Sequence, residues 1–523
     1  MFDKPLGGTE LMYNELMKRL PSAYGEIFSI FNYISQADFN KKTIFWNQLS
    51  HDQEAVKWLQ DKENHKHIEQ FVFVSNWQSE NYRKIFGIPA YKSKVLKNAY
   101  SRLSNAEKQY EKIKICYTST PWRGLDVLLR AWEILNPSGC ELHIFSSTKI
   151  YGNEFASTQE QIYEPLYQKC NELPNVIYRG SVPNEVLIDE LGSFHMMAYP
   201  STFEETSCIA VIEAISNGLR VICSNLGALP ETAQGWARIY NYPENKEFHA
   251  IRFAEVLQDE IEMFKRGYFE DASKNQKLIY SPIFAWDYRV YEWREYLSSL
   301  ILKEKKFIVR NSWDKSIFQE CFVENEYKIS SFKESDVVID LGCHIGSFSL
   351  LAYERGSKNI HSFEALKANY DFAKENLKKT NVNLKNLAVW RSDMDVEKAK
   401  FNKNIVDWNT GMGRIDENSQ SNEDIVEVDC IKFDTILSQF EEVRMVKIDI
   451  EGSEYSVLYT SCQLDKIQHI CGEFHEIENN QINGYTFDGV GLKRFLMDNG
   501  FTVEIQEATW SNFCGFFNAI KIK

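Results

Sequence analysis

The segment PSTFEETSCIAVIEAISNG, residues Pro200–Gly218, places the two glutamates Glu205 and Glu213 eight positions apart. The β-rich apolar runs HMMAYPS and RVICSN flank this segment on either side. Between them we expect a loop and then a helix over residues 207–217, because the glycine that follows commonly terminates a helix. A strand, loop, helix and strand in succession are typical of a parallel α/β sheet.

The composition of the chain indicates several well-packed domains. With 523 residues, 44% apolar and 14% aromatic, roughly two or three domains are expected. The formal net charge of −15 argues against a protein that binds nucleic-acid duplexes or phospholipids, because affinity for phosphate polymers comes from clustered Lys and Arg.

Cysteine use and hydropathy predict where the protein resides. The eleven cysteines are scattered without a C-x-x-C pair or zinc-ligand spacing, as expected for reduced thiols. We find neither a basic-then-apolar signal segment nor the run of about 18 apolar residues that spans a bilayer. We therefore expect a cytoplasmic protein with no transmembrane segment, or one that is peripheral at the inner face of a membrane.

Short β-rich runs alternate with helical patterns in two series. The first contains FVFVSN, IKICYTS, ELHIFSS, NVIYRG, HMMAYPS and RVICSN, and the second contains DVVIDLG, NIHSFEA, VNLKNLAVW, MVKIDIEG and HICGEFH. FTVEIQE and FFNAIKIK close the chain as a predicted hairpin. A long helix candidate from Phe284 separates the two series, so we place the main boundary near Lys305.

The chemistry of the first segment suggests a ligand with both phosphate and hydroxyl groups. Backbone N–H groups of Thr206, Ser207 and Cys208, at the expected helix start, are suited to bind phosphate. The carboxylates of Glu205 and Glu213 would accept hydrogen bonds from sugar hydroxyls. A nucleotide sugar carries both kinds of group. Taken alone, however, the same pair also fits ordinary surface glutamates at a helix start.

Residues 1–300 resemble the retaining GT-B glycosyltransferases of family 4, which have two Rossmann-like lobes. The E-x7-E segment, GGTE, FVSNWQSENYRKIFGIP, VLKNAY and TSTPWRGLDVLLRAWEIL carry the resemblance. It implies an N-lobe over residues 1–105, a nucleotide-sugar-binding C-lobe over 106–282, and a crossover helix with linker over 283–305. The chain begins at the glycine loop, so the N-lobe is expected to lack the family's first strand or to begin after a truncation.

The same resemblance implies roles for individual residues. Glu205 would hold the transferred sugar, Glu213 the ribose hydroxyls, and Arg123 would neutralise the diphosphate leaving group. His51 stands where the family has a histidine near the transferred sugar, although a structural histidine fits equally well. Gly7 and Gly8 would bring backbone N–H groups to the phosphates. No metal is expected in this module.

The second series opens with VVIDLGCHIGSFSLLA, a buried strand followed by a glycine turn and a helix. Gly342 and Gly346 would allow the backbone to turn close to a ligand. Glu364 ends the next strand, where an acid commonly binds ribose hydroxyls. The spacing G-x-x-x-G lacks the pyrophosphate-binding G-x-G-x-x-G and so favours S-adenosylmethionine over a dinucleotide.

Residues 306–523 resemble FkbM-type methyltransferases, through VIDLGCHIGSFS, VEVDCIKFDTIL, MVKIDIEGSEYSVL and CGEFHE. The resemblance implies a class I, Rossmann-like, seven-stranded domain. Asp340, Gly342 and Gly346 would flank the methionine end of the cofactor. His344 replaces the asparagine common in the family, and Asp393 would approach the adenine.

Acidic residues and a histidine lie at or just past strand ends in this domain. Methyl transfer to a hydroxyl needs a base, and Asp449 or His475 could serve, with His475 better matched to neutral pH. Asp449 and neighbouring carboxylates could alternatively hold a divalent metal. A solvated acidic loop is the simpler alternative for this cluster.

These features predict a bifunctional α/β enzyme for glycan synthesis. One module would transfer a sugar with retention from a nucleotide sugar to a glycan or lipid-linked saccharide, and the other would O-methylate a sugar hydroxyl. In a second interpretation the first module is an inactive glycan-binding unit, since Thr118 stands where the family usually has a second basic residue. A third is a tailoring enzyme for small molecules.

Overall fold

The chain forms two compact units, Met1–Tyr296 and Leu297–Lys523. The division falls inside helix Trp286–Lys305, within the segment predicted to cross between modules. The computed structural model describes residues 7–149, 153–403, 413–415, 424–508 and 513–522.

The first sheet of unit 1 is parallel throughout, with four strands paired in chain order. Phe31, Phe45 and Phe71 are buried on it, so each strand contributes apolar side chains to one core. The strands are Phe28–Phe31, Lys42–Asn47, Gln70–Phe73 and Ser93–Val95, and the α-helices Gly8–Arg19, Ser22–Ile27 and Asn76–Phe86 accompany them.

The second sheet of unit 1 has six parallel strands. In spatial order they are Ala237–Tyr240, Arg220–Ser224, Met196–Tyr199, Ile113–Thr118, Cys140–Phe145 and Val176–Tyr178. The chain order reverses between the third and fourth of these strands, and ligands bind at such a reversal in open α/β sheets. The helices are Leu125–Leu135, Asn153–Glu172, Asn184–Leu191, Ile209–Ser216, Leu229–Ala233, Lys246–Lys265 and Glu270–Tyr280.

The part of helix Trp286–Lys305 that belongs to unit 1 follows the second sheet but packs on the first one. Trp293 is fully buried, and its ring centroid lies 5.2 Å from that of Trp46 on the strand Lys42–Asn47. Two parallel-sheet lobes joined in this way constitute the GT-B fold that the sequence predicted.

Unit 2 is built on a seven-stranded sheet. Its strand pairs are parallel except for the two that involve Cys514–Lys521, the last strand in the chain. Those two pairs are antiparallel, as the predicted hairpin requires. In spatial order the strands are Asn383–Lys385, Asn359–Phe363, Val337–Leu341, Met445–Ile448, His469–His475, Cys514–Lys521 and Phe501–Glu507. This is the Rossmann-like methyltransferase arrangement that the sequence predicted.

Two smaller sheets and several helices complete unit 2. The four-stranded sheet contains, in order, Ala388–Trp390, Ile425–Lys432, Lys398–Asn402 and Arg414–Ile415, and the two-stranded sheet contains Gln481–Ile482 and Tyr485–Thr486. The helices are Ser312–Gln319, which continues into a π-helical turn Glu320–Glu324, then Ser347–Glu354, Lys367–Asn376, Phe433–Leu437, Glu454–Tyr459 and Gly489–Asp498.

Two local predictions differ from the structure. The helix expected over 207–217 begins at Ile209, because Cys208 has a non-helical backbone and caps it, so the amides of residues 206–208 precede the helix. The run VNLKNLAVW is not one strand but two strands in different sheets. Asn386 separates them, and its amide donates to the carbonyls of Glu364 and Ala365.

Within the described ranges, none of the helices combines the length and apolar character needed to cross a bilayer.

The packing of Trp293 on Trp46 predicts that two substitutions in the same helix differ in their effect on the stability of unit 1. Trp293→Ala should lower the unfolding free energy of unit 1 by about 3–5 kcal/mol, because it removes a fully buried indole. Tyr291→Ala, on the same helix but 57% exposed, should change it by less than about 0.5 kcal/mol. Scanning calorimetry of the full chain measures both, and equal effects would contradict this packing.

Candidate functional site

Unit 1 encloses a cavity of about 1050 Å³ lined by residues of both lobes. Its lining includes nearly all the residues that the sequence assigned to the sugar donor: Gly7, Gly8, Arg123, Glu205, Thr206, Ser207, Cys208 and Glu213. His51 is not part of this lining. Its neighbour Ser50 is, while the Nδ1 of His51 is buried and makes no hydrogen bond to any described residue.

Glu205 follows strand Met196–Tyr199 and lies almost fully buried at the cavity. Arg123 Nη1 donates to its Oε1 at 2.6 Å, and the hydroxyl of Tyr199 donates to the same oxygen at 2.5 Å. Both hydrogen bonds reach the same oxygen, so the carboxylate is held in a defined position at the cavity.

Arg123 is held in place by its local turn and by neighbouring residues. It lies in a short 3₁₀ turn after strand Ile113–Thr118, and its guanidinium carbon is 4.7 Å from the ring centroid of Phe203. The next residue, Gly124, has φ +105°, and a Cβ there would lie 2.0 Å from the carbonyl oxygen of Pro200. Only glycine therefore allows this turn to lie directly against the loop that leads to Glu205.

Glu213 lies one turn into helix Ile209–Ser216 and is 7% exposed. Burial raises the pKa of its carboxyl to about 7, and Ser101 Oγ donates to its Oε1 at 3.1 Å. Additional hydrogen-bond donors stabilise the charged form of a buried carboxyl group, and ribose hydroxyls would supply such donors.

Two further features of this cavity were not predicted from the sequence. Lys149 lines it and brings a second cationic side chain. Thr206 Oγ1 donates to the carbonyl of Gln48 at 2.9 Å, and Gln48 in turn exchanges side-chain hydrogen bonds with Asn98 at 3.0 and 2.9 Å, so this chain of contacts joins the two lobes. No motif marks Lys149 or Gln48, and the contacts of Gln48 join residues that are distant in the chain.

Unit 2 encloses a second cavity, of about 660 Å³. Of the residues assigned to methyl transfer from sequence, five line it: Gly342, His344, Glu364, Asp449 and His475. Asp340 is fully buried and accepts a hydrogen bond from Ser349 Oγ at 2.5 Å, while Gly346, with φ +92°, caps helix Ser347–Glu354.

The glycine turn in this cavity is fixed by a close contact with a neighbouring strand end. Gly342 has φ +75°, and a Cβ there would lie 1.9 Å from the carbonyl oxygen of Asp449. The turn and the residue predicted to act as the base are therefore adjacent, as the sequence of strands along the sheet edge requires.

Glu364 follows strand Asn359–Phe363, and backbone amides orient its carboxyl group. The N–H groups of His344 and Leu366 donate to its two oxygens, each at 2.9 Å. Burial raises the pKa of this carboxyl to about 7. The geometry fits a group that binds the hydroxyls of a nucleoside.

A buried polar cluster behind the cavity was also missed. Arg310 forms a two-point ion pair with Asp314, at 2.8 and 2.9 Å, and Arg310 Nη2 donates to His344 Nε2 at 2.9 Å. Burial lowers the pKa of His344 to about 4, so its imidazole is neutral and accepts this hydrogen bond. Arg310 and Asp314 lie outside the recognisable cofactor motif, so no pattern signalled them.

His475 has a charge state that differs from the one expected. It lies 3.0 Å from Glu454, 3.2 Å from Glu451 and 3.6 Å from Glu473. Burial alone would lower its pKa, but the hydrogen bond to Glu454 and the surrounding carboxylates raise it to about 10. An imidazolium cannot accept a proton, so this environment argues against His475 as the base.

Asp393 lies apart from the cavity. Its two carboxylate oxygens accept hydrogen bonds from Arg391, both at 2.6 Å, and these bonds lower its pKa. Asp393 is not among the residues that line the cavity, and its predicted approach to the adenine stays a prediction.

Among the residues described here, no group of three or more His, Cys, Asp and Glu side chains is arranged to hold a metal ion.

Two family models match the chain. Residues 112–259 match the model described as Glycosyl transferases group 1, and residues 340–503 match the Methyltransferase FkbM domain. The chain therefore carries a group 1 glycosyltransferase domain fused to an FkbM methyltransferase domain. No curated protein matches it.

Solved glycosyltransferases are distant in sequence. A glycosyltransferase from Rickettsia africae is 13% identical, with 58% of this chain and 84% of that chain covered at a TM-score of 0.42. Anabaena Alr3699/HepE in complex with UDP is 15% identical, with 55% and 82% covered at 0.42. Sucrose-phosphate synthase from Thermosynechococcus elongatus is 14% identical, with 56% and 77% covered at 0.42.

The carboxylates around His475 predict an unusual titration. In NMR spectra, the ring of His475 should remain protonated up to about pH 10, and Glu454→Gln should shift its titration to lower pH. Glu478→Gln, at an exposed position nearby in the chain, should leave the titration unchanged. Deprotonation of His475 near pH 6.5 in the unmodified protein would contradict this charge arrangement.

Proposed function

We propose that the chain is a bifunctional enzyme of glycan synthesis. Unit 1 would transfer a sugar, with retention, from a nucleotide sugar to a glycan or lipid-linked saccharide in the cytoplasm. Unit 2 would transfer a methyl group from S-adenosylmethionine to a sugar hydroxyl. The main support is that each unit has its own cavity, lined by acidic and glycine residues at the ends of parallel strands.

The contacts of Arg123 and Glu205 are suited to sugar transfer. A guanidinium has five N–H donors, so Arg123 can keep one on Glu205 while others bind the diphosphate as it leaves. Glu205 Oε2 would accept a hydrogen bond from a hydroxyl of the transferred sugar. Departure of the diphosphate with attack from the same face retains the configuration of the sugar.

The charge inside unit 1 bears on whether the module is active. Thr118, where the family resemblance implies a basic residue, supports the alternative that unit 1 only binds a glycan. Lys149 and Arg123 both line the cavity and together provide the two positive charges that a diphosphate requires. This second cation is the observation that favours an active transferase over a binding unit.

The residues of unit 2 fit S-adenosylmethionine. Gly342 turns where a Cβ would collide with the neighbouring strand end, and Glu364 presents an oriented carboxyl group to the same cavity. Glu364 would hold the ribose hydroxyls, and residues 342–346 would face the methionine end. The cofactor supplies an electrophilic methyl group when bound.

Asp449 is the residue best placed to act as the base. It lines the cavity, and its side chain keeps partial contact with solvent. His475 lies beside Glu454 and Glu451, which hold it as a cation, and this supports Asp449 over His475. Asp449 would accept the proton of the acceptor hydroxyl.

Loss of one carboxylate should stop sugar transfer. Glu205→Gln should reduce transfer and hydrolysis of nucleotide sugars by about 100-fold or more, because the amide cannot offer a charged acceptor to the sugar. Glu204→Gln, at the exposed preceding residue, is the matched control and should retain activity. A panel of nucleotide sugars with product analysis by mass spectrometry measures both. Absence of transfer and hydrolysis with every donor in the unmodified protein would favour the binding-unit alternative.

Loss of the proposed base should separate cofactor binding from methyl transfer. Asp449→Asn should reduce transfer of labelled methyl groups by about 100-fold or more while calorimetry still detects S-adenosylmethionine binding. Asp465→Asn, at an exposed position in the same unit, should leave both unchanged. Full methyl transfer by Asp449→Asn would show that another residue acts as the base.

A further inference from the structure

Lys447 is a buried ammonium between the glycine turn and the proposed base. It extends from strand Met445–Ile448, and its side chain is 4% exposed. Its Nζ donates to the carbonyl of Gly342 at 2.7 Å, and lies 3.4 Å from Asp340 Oδ1 and 3.6 Å from Asp449 Oδ2. One side chain therefore contacts both the part of the cavity that would face the cofactor and the part that would face the acceptor.

An ammonium in such a position must be stabilised by its surroundings, because burial of a charge is costly without partners. Burial alone would lower the pKa of Lys447, but the carboxylates of Asp340 and Asp449 outweigh it and raise the pKa. The ring of Tyr327, with its centroid 5.6 Å from Nζ, provides further stabilisation. Lys447 is thus a permanent cation with a fixed position.

We propose that Lys447 is a positioning residue for methyl transfer, which holds the carboxylate of Asp449 in register with the Gly342 turn and places a positive charge beside it. The inference rests on the proposed function of Asp449 as the base. In this arrangement the ammonium contacts both the Gly342 turn, which would face the cofactor, and Asp449, which would accept the proton. It therefore fixes the separation of these two groups and places a positive charge beside Asp449.

The other charged and titratable groups near Asp449 do not replace Lys447. They come from several elements of unit 2 and comprise Tyr327, Glu326, Asp340, His344 and Glu473. His344 is neutral near pH 7, because burial lowers its pKa to about 4. His475, the other cation that lines this cavity, is engaged by Glu454 and Glu451, whereas Lys447 Nζ lies 3.6 Å from Asp449 Oδ2.

The test removes the charge while keeping the length of the side chain. In Lys447→Met the carboxylate of Asp449 should bind a proton more readily, so the acidic limb of the pH–rate profile for methyl transfer should move up by about one pH unit or more. Lys447→Arg, which keeps the charge, should restore most of the position of that limb. Lys328→Met, which breaks a surface ion pair with Glu504, is the matched control and should leave the profile unchanged.

A second readout does not depend on activity. Lys447→Met leaves Asp340 buried without its cation, so the double variant Asp340→Asn/Lys447→Met is measured in parallel to preserve folding. Hydrogen–deuterium exchange of the cofactor-free protein should rise at residues 342–346 in both variants, and remain unchanged in Lys447→Arg and Lys328→Met.

The outcomes distinguish the inference from the function on which it rests. An unchanged pH profile and unchanged exchange in a folded Lys447→Met protein would overturn the positioning role, even if Asp449→Asn is inactive. Full activity of Asp449→Asn would instead overturn the assignment of the base, and the inference with it. A moved acidic limb together with faster exchange, both absent from the Lys328→Met control, would support it.

Discussion

The close approach of a glycine turn to the end of a neighbouring parallel strand is the constraint on which both cavities depend. In unit 1 a Cβ at Gly124 would lie 2.0 Å from the carbonyl of Pro200, and in unit 2 a Cβ at Gly342 would lie 1.9 Å from that of Asp449. Both distances are far below any van der Waals contact. Each turn therefore places its functional side chains directly beside those of the next strand, and the cavity forms at that edge of the sheet.

Buried charge follows from this arrangement and gives each cavity its chemistry. Arg123 and Glu205 pair across the turn in unit 1, and Lys447 is placed between Asp340 and Asp449 in unit 2. Such pairs are costly to bury and contribute little to stability in themselves. We infer that they are retained because they hold carboxylates in defined positions and charge states where a ligand with hydroxyl groups would bind.

The sequence predicted the parts of the structure that are encoded locally. Buried strands such as Val337–Leu341 and the glycine turns after them were recognisable because apolar runs and glycines are contiguous in the chain. The start of helix Ile209–Ser216 was misplaced, because Cys208 caps it without a typical capping side chain. The strand Lys398–Asn402 was missed, since its alternating residues resemble a polar loop.

Properties that depend on distant residues could not be predicted. The pKa of His475 is set by Glu451, Glu454 and Glu473, whose distances from it are known only in the folded chain. Lys149 is brought to the cavity by a loop that no motif marks. From residue type alone, His475 was expected to be neutral near pH 7, and Arg123 was the one cation expected at the cavity of unit 1. The tertiary structure changed both expectations.

The most direct measurement of the central claim is calorimetric titration of the full chain and of two single-glycine variants with a nucleoside diphosphate and with S-adenosylmethionine. The two-cavity account predicts that Gly124→Ala loses only nucleotide binding and that Gly342→Ala loses only cofactor binding, since each added Cβ displaces one turn. If folded variants bind both ligands like the unmodified protein, or if the unmodified protein binds neither, the account is contradicted.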